Sequence, residues 1–224
     1  MQKQVVIFIA PTGAGKGTQS DLLAEKFGWY HLETAKILEE KFAMGDPNDP
    51  VIKAERELFL TGKLMTPEIV TTWVLEKVRE LATQGQSIIF SGSFRTDYEA
   101  RTEIPVIEEL YGKENVRIFH ITLSEDESVR RNSNRRICKK NRHPIPDLPE
   151  FRSMTVCPHD GSELVRRELD TPEVARIRYR EYLKRTTPVF DFFKERKYPI
   201  IEIDGERGIE NVSEDIQKHF SSQE

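Results

Sequence analysis

The chain has 224 residues, of which 37% are hydrophobic and 32% charged, and its formal net charge at pH 7 is −4. That length buries one good core and leaves room for a small excursion beside it, but not for two domains of equal rank. The balance is that of a soluble globular protein and gives no global attraction to nucleic acid or to an anionic membrane, so function must lie in local sites.

The first element is the apolar run over residues 5–10. It is six residues long, carries no small-residue cleavage pattern and runs directly into glycines, which predicts a strand and not a signal peptide. No stretch approaches the length of a membrane span. Gly13-Ala14-Gly15-Lys16-Gly17-Thr18 follows at once. A buried strand leading into glycines lets successive backbone N–H groups converge on phosphate oxygens, the next helix adds its positive N-terminal end, and the lysine supplies a point charge. The spacing differs from G-x-x-x-x-G-K-[ST], because Ala10 stands at the first glycine and Gly17 separates Lys16 from the hydroxyl of Thr18. A dinucleotide fingerprint, with Glu33 as its ribose-binding acid, is the rival reading, and both Lys16 and the glycine spacing argue against it.

Further strands rich in β-branched residues are expected at 87–91, 116–123 and 199–204, with a less distinct one at 29–32. Helical patterns separate them, which predicts a parallel α/β sheet. Between Gly28 and Thr66 helical stretches are broken by Gly45-Asp46-Pro47-Asn48-Asp49-Pro50, as in a small helical unit on the sheet's rim. Thr66-Pro67-Glu68 opens a helix that Gly85 stops, and Thr171-Pro172-Glu173 opens another. Residues 137–170 break the alternation: Pro144, Pro146, Pro149 and Pro158 forbid a long helix, and the segment reads as an inserted lid. Only residues 221–224 read as a frayed tail. The two cysteines, Cys138 and Cys157, make no secreted disulfide framework, so a cytoplasmic location is the default expectation. Seven Lys or Arg residues lie between Arg130 and Arg142 with no acid among them, but without interleaved aromatics they make a poor single-strand nucleic-acid surface.

Several motifs, in order, resemble those of the adenylate kinases, a family of P-loop nucleoside monophosphate kinases, and the likeness covers nearly the whole length. They are Ala10-Pro11-Thr12-Gly13-Ala14-Gly15-Lys16-Gly17-Thr18-Gln19, His31-Leu32-Glu33-Thr34-Ala35-Lys36-Ile37-Leu38-Glu39, Gly62-Lys63-Leu64-Met65-Thr66 and Ser91-Gly92-Ser93-Phe94-Arg95-Thr96. Arg131 and Arg135 before the lid and Arg167 and Arg178 after it stand where the family places four functional arginines. The resemblance implies a P-loop fold with a five-stranded parallel sheet. Its core would span 1–33, 66–136 and 171–224, with an acceptor-binding helical domain at 34–65 and the lid at 137–170. It implies reversible phosphoryl transfer from Mg2+-bound ATP to AMP, giving two ADP, by a cytoplasmic monomer.

By the same resemblance, Gly13 to Thr18 and Lys16 hold the donor phosphates, Arg131 stacks on the donor adenine and Arg135 touches the donor phosphates. Thr34, Lys36, Gly92, Arg95 and Glu99 then serve the acceptor, and Arg167 and Arg178 bridge acceptor and transferring phosphoryl. The chemistry accounts for so many arginines, since guanidinium forks stabilise charge spread over three equatorial oxygens. Metal-bearing relatives carry Cys-x-x-Cys and Cys-x-x-Cys or Cys-x-x-Asp in the lid. This chain has Cys138, Cys157 and Asp160, with Asn141 in the fourth place and His143 within reach, so the lid is either a structural zinc site or a hydrogen-bonded polar cluster.

Four departures bear on mechanism. The family's acids at positions 36 and 91, which hold waters of the magnesium shell, are Lys36 and Ser91. Its acceptor-phosphate arginine at 39 is Glu39, for which Lys36, one turn away, is the expected compensation. Its adenine-reading glutamine is Glu99, which accepts but cannot donate, unless Glu99 is an exposed helix residue with no such role. These leave two alternatives open: a kinase for another nucleoside monophosphate, and a nucleotide-binding protein with little turnover.

Overall fold

A computed structural model describes residues 3–61, 63, 65–141, 143–147, 149–166 and 170–220, without the side chain of Glu150. The expectations placed on Gly62, Leu64, Arg142, Arg167 and 221–224 therefore lie outside the described residues.

The sheet is built on β1 (Val5–Ile9), five residues buried on both faces, as the unbroken apolar run requires of a central parallel strand. With β2 (Tyr30–Leu32), β3 (Ile88–Phe90), β4 (Val116–Thr122) and β8 (Ile200–Asp204) it forms a five-stranded sheet in the order β2-β3-β1-β4-β8. All its pairings are parallel; Ile7 lies opposite Phe90 on one side and Ile118 on the other. The weakly marked second strand is real, and the other three coincide with the expected runs to within a residue or so at each end. Successive connections run first to one side of β1 and then to the other, which makes the carboxyl end of β1 the topological switch point, where open α/β sheets bind ligands.

Two cores flank the sheet because side chains alternate along β1. Val5, Ile7 and Ile9 pack with α4 (Pro67–Thr83), α5 (Asp97–Tyr111) and α9 (Val189–Glu195). Val6 and Phe8 pack with α1 (Lys16–Phe27) and α10 (Ile209–Gln217). Thr66 precedes α4, with Pro67 in its first turn, and the Thr171 hydroxyl caps α8 (Pro172–Glu181), accepting from the Val174 N–H. Between β2 and α4 stand α2 (Thr34–Met44) and α3 (Pro50–Leu60), and the Asp49 side chain caps the latter.

After α6 (Glu125–Asn134) the chain leaves the sheet. It forms a three-stranded antiparallel sheet of β5 (Arg136–Cys138), β6 (Pro144–Ile145) and β7 (Leu164–Val165), with a single turn α7 (Pro149–Arg152), before returning as α8. A π-turn, Tyr182–Thr186, joins α8 to α9.

Candidate functional site

The loop leaving β1 turns through two left-handed glycines, Gly13 (φ 79°) and Gly15 (φ 89°), the second of which caps α1. Gly13 also lies against α6, where a Cβ would fall 2.6 Å from Asn132 Nδ2. The loop is tied to α6 on either side of that contact. Thr12 Oγ1 donates to Asn132 Oδ1 (2.9 Å) and Ser128 Oγ donates to the Thr12 carbonyl (2.8 Å). Lys16, Gly17 and Thr18 form the first turn of α1, whose unpaired N–H groups face the loop's concavity. Lys16 folds back to donate to the carbonyls of Ala10 (2.7 Å) and Pro11 (3.2 Å). Burial, with the nearby Arg95 and Arg135 guanidiniums, pushes its ammonium down to about 7.

Arg135, directly after α6, is held by Asp170, directly before the Thr171 cap. Its Nε and Nη2 donate to the two carboxylate oxygens at 2.7 and 2.8 Å. The same carboxylate lies 3.5 Å from Arg178 Nη1 on α8, and its side chain is only 2% exposed. Burial pulls the Arg178 guanidinium below its ordinary value, Asp170 acts against that, and Arg135 and Arg95 add to it. Arg95 is fixed through its backbone: its N–H donates to Glu99 Oε2 (2.7 Å) and its carbonyl accepts from Thr186 Oγ1 in the π-turn (3.0 Å). Lys16, Arg95, Arg135 and Arg178 are thus a connected set of cations around the end of β1. Such a set repels itself until a multivalent anion enters. Asp170 and Thr186 carry no sequence motif, and sequence reasoning missed both.

Arg131 projects elsewhere, its Nε donating to Glu127 (2.6 Å) and its Nη1 to the Gly205 carbonyl beyond β8 (2.8 Å). After β3, Gly92 backs onto Thr34, whose Oγ1 lies 2.9 Å from Ser93 Oγ. Lys36 is ion-paired with Glu33. Partial burial acts to lower its ammonium, but Glu33 and Asp21 prevail and raise it. Lys36 and Glu39 on α2 face Lys140, Asn141 and His143 of the small sheet across a cleft of about 280 Å³.

Glu99 is not the exposed helix residue weighed from sequence. It is buried, and with Thr96 it closes a cap on α5: the Glu99 N–H and the Thr96 hydroxyl pair at 3.2 Å, and Thr96 Oγ1 donates to Glu99 Oε1 (3.2 Å). Burial raises its carboxyl, with the Arg95 N–H and the Arg95 charge acting against it.

The family model described as "Adenylate kinase" matches residues 8–198. The chain belongs to the adenylate kinase family. An adenylate kinase of Petrotoga mobilis is 34% identical over 215 residues, covering 94% of each chain. Those of Elusimicrobium minutum and Archaeoglobus fulgidus are 30% and 31% identical, covering 97% and 98%, and 95% and 95%, of this chain and the relative respectively.

In this adenylate kinase family member a second cluster lies beside the site. In the small sheet, His143 Nδ1 lies 3.4 Å from each of Cys138 Sγ, Cys157 Sγ and Asp160 Oδ2, and Cys138 Sγ is 3.3 Å from Asp160 Oδ2. These four ligand atoms all fall within 4.8 Å of one another. Tetrahedral zinc with bonds of about 2.0–2.3 Å separates unlike ligands by roughly 3.3–3.6 Å, which is this spacing. The Asn141 and His143 N–H groups donate to Cys138 Sγ at 3.3 and 3.2 Å. Burial opposes its ionisation, but the Asn141 N–H, the Ser162 hydroxyl and the His143 N–H together prevail and lower the thiol. Asn141 itself is turned onto Asp160, donating to Oδ2 at 2.8 Å.

Proposed function

We propose that the chain transfers a phosphoryl group from ATP to AMP, reversibly, giving two ADP. The observation that carries this is the convergence of Lys16, Arg95, Arg135 and Arg178 at the end of β1. There burial, with two cationic neighbours adding to it, holds a lysine at about 7, and a polyphosphate is the anion that matches the set. In this reading the N–H groups from Gly13 to Thr18 and Lys16 hold the donor phosphates, Arg131 borders the donor base, and Arg135, Arg178 and Arg167 enclose the transferring group. Arg95 and Thr34 serve the acceptor, and Lys36 supplies the charge that Glu39 lacks.

No general base is required, because a phosphate oxygen is already nucleophilic and catalysis is chiefly alignment and charge stabilisation. Magnesium would arrive with ATP; Thr18 is the hydroxyl that the loop's helix would offer it, and the metal would supply neutralisation of phosphate charge. Zinc in the lid would be held by Cys138, His143, Cys157 and Asp160, with Asn141 orienting Asp160, and would serve structure alone. Glu99, closed into its cap, leaves acceptor selection to other groups. The test is a coupled assay of ADP formation from MgATP with AMP, CMP, UMP and GMP in parallel. AMP should give the highest kcat/KM; a higher value for another monophosphate, or none for any, would replace this reading by one of its alternatives.

A further inference from the structure

Next to the phosphate loop lies a second arrangement that the transfer between nucleotides does not use. Ser91 directly follows β3, the strand paired with β1 immediately before the loop. Its Oγ is 2.6 Å from His31 Nε2, and His31 Nδ1 is 2.7 Å from Asp21 Oδ1 on α1. The His31 side chain is 9% exposed, and Glu33 Oε1 stands 4.0 Å from the same Nδ1. Two carboxylates on the Nδ1 side place the ring's own proton there, so Nε2 faces the Ser91 hydroxyl as an acceptor. A hydroxyl in hydrogen-bond reach of a base, itself oriented by an acid, is the geometry of an activated nucleophile.

We propose that Ser91 is a phosphoryl acceptor, taking the terminal phosphoryl group of a nucleoside triphosphate bound at the loop, with His31 as general base. Ser91 Oγ forms the new O–P bond, the bond between the terminal phosphorus and its bridging oxygen breaks, the diphosphate leaves with that electron pair, and the Ser91 proton passes to His31 Nε2. Asp21 and Glu33 stabilise the imidazolium so formed. The donor need only sit where the loop's amides and Lys16 direct it, at the same ends of β1 and β3. This rests on the reading of the loop as a triphosphate site and adds a covalent product to it. A serine phosphate there would restore negative charge at a position where relatives are expected to carry an acid.

The experiment incubates the full chain with MgATP and no monophosphate, follows its intact mass, maps any modified peptide, and in parallel assays the same preparation with AMP. The mass should rise by one phosphoryl group, at a rate independent of protein concentration, with the group on Ser91. Ser91→Ala should abolish the modification. His31→Gln should slow it at least tenfold while ATP affinity, measured by calorimetry, stays unchanged, and Asp21→Asn should slow it less. Turnover of AMP by a protein that stays unmodified, modification at another residue, or an unchanged rate in His31→Gln each overturns the proposal and leaves the kinase reading standing. Modification at Ser91 without turnover of any monophosphate supports the proposal and removes the kinase reading. Absence of both activities overturns both.

Discussion

Replacing Glu103 by glutamine should stabilise the protein at neutral pH, and the gain should shrink as the pH is lowered. Glu103 sits on α5, fully buried, and neither carboxylate oxygen has a hydrogen-bond partner. Burial raises its carboxyl well above the ordinary value of 4.5, and the Glu99 carboxylate four residues away adds to the effect. The Thr71 hydroxyl on α4 acts weakly against it but makes no bond of good geometry. The folded protein therefore keeps a proton that the unfolded chain releases above 4.5, and stability falls as pH rises from 4.5 toward the folded value. Holding a proton on a carboxyl of ordinary value 4.5 costs up to about 1.4 kcal/mol for each pH unit above that value, for as long as the folded carboxyl stays protonated. The neutral amide has nearly the same shape and the same need for partners, so it removes this cost and little else. Urea unfolding of both proteins at pH 5 and pH 7 should show the advantage of Glu103→Gln growing with pH, by at most about 3 kcal/mol over those two units. An advantage equal at the two pH values would refute the reasoning, because it would mean that Glu103 is ionised in the folded protein.

Nucleotide binding at pH 8 should take up about one proton per site, since phosphates raise the depressed Lys16 ammonium back through that pH; calorimetry in buffers of different ionisation enthalpy measures it. Asp170→Asn should destabilise the protein by about 3–5 kcal/mol in denaturant titrations, and should lower kcat more than tenfold with a smaller change in the KM for ATP, because Arg135 and Arg178 lose the acid that aims them. Elemental analysis should find about one zinc per chain, and Cys157→Ser should lower Tm more than it alters kcat. Lys36→Ala should raise the KM for the monophosphate and leave that for ATP nearly unchanged in steady-state kinetics; the reverse split would place Lys36 outside the acceptor site.

The parts legible in sequence are those whose physics is local. An apolar run entering glycines and a lysine can be read at 5–18 because strand, turn and helix start follow one another without outside help. Thr171-Pro172 announces a helix because its cap is satisfied within a single turn, and Thr66-Pro67 because proline suits a helix's first position, the Thr66 hydroxyl going to Glu55 instead. The strands of the small sheet are two or three residues long, too short for any period to show, so the prolines revealed a break in pattern but not what filled it. Asp170 went unnoticed because its value lies in two arginines brought to it from α8 and the end of α6, a pairing that no spacing encodes. Ser91 read as a loss because its partners, His31 and Asp21, meet it only when β2 and α1 pack beside β3. Glu99 is the one role that was available: Thr96 followed three residues later by a glutamate is a helix-start signature.

The ion pair between Arg135 and Asp170 joins residues 35 positions apart, at the points where the chain departs from α6 and rejoins at α8. It works as a clasp at the neck of an insertion. A segment whose two ends are already pinned together pays little further closure entropy when its length changes, since that cost grows only with the logarithm of the loop. What hangs beyond the clasp can therefore be lengthened, shortened or rebuilt around a metal or around hydrogen bonds while the phosphate loop keeps its geometry. The neck makes the insertion an exchangeable part, and the residue that closes it is also one of the guanidiniums gathered at the end of β1.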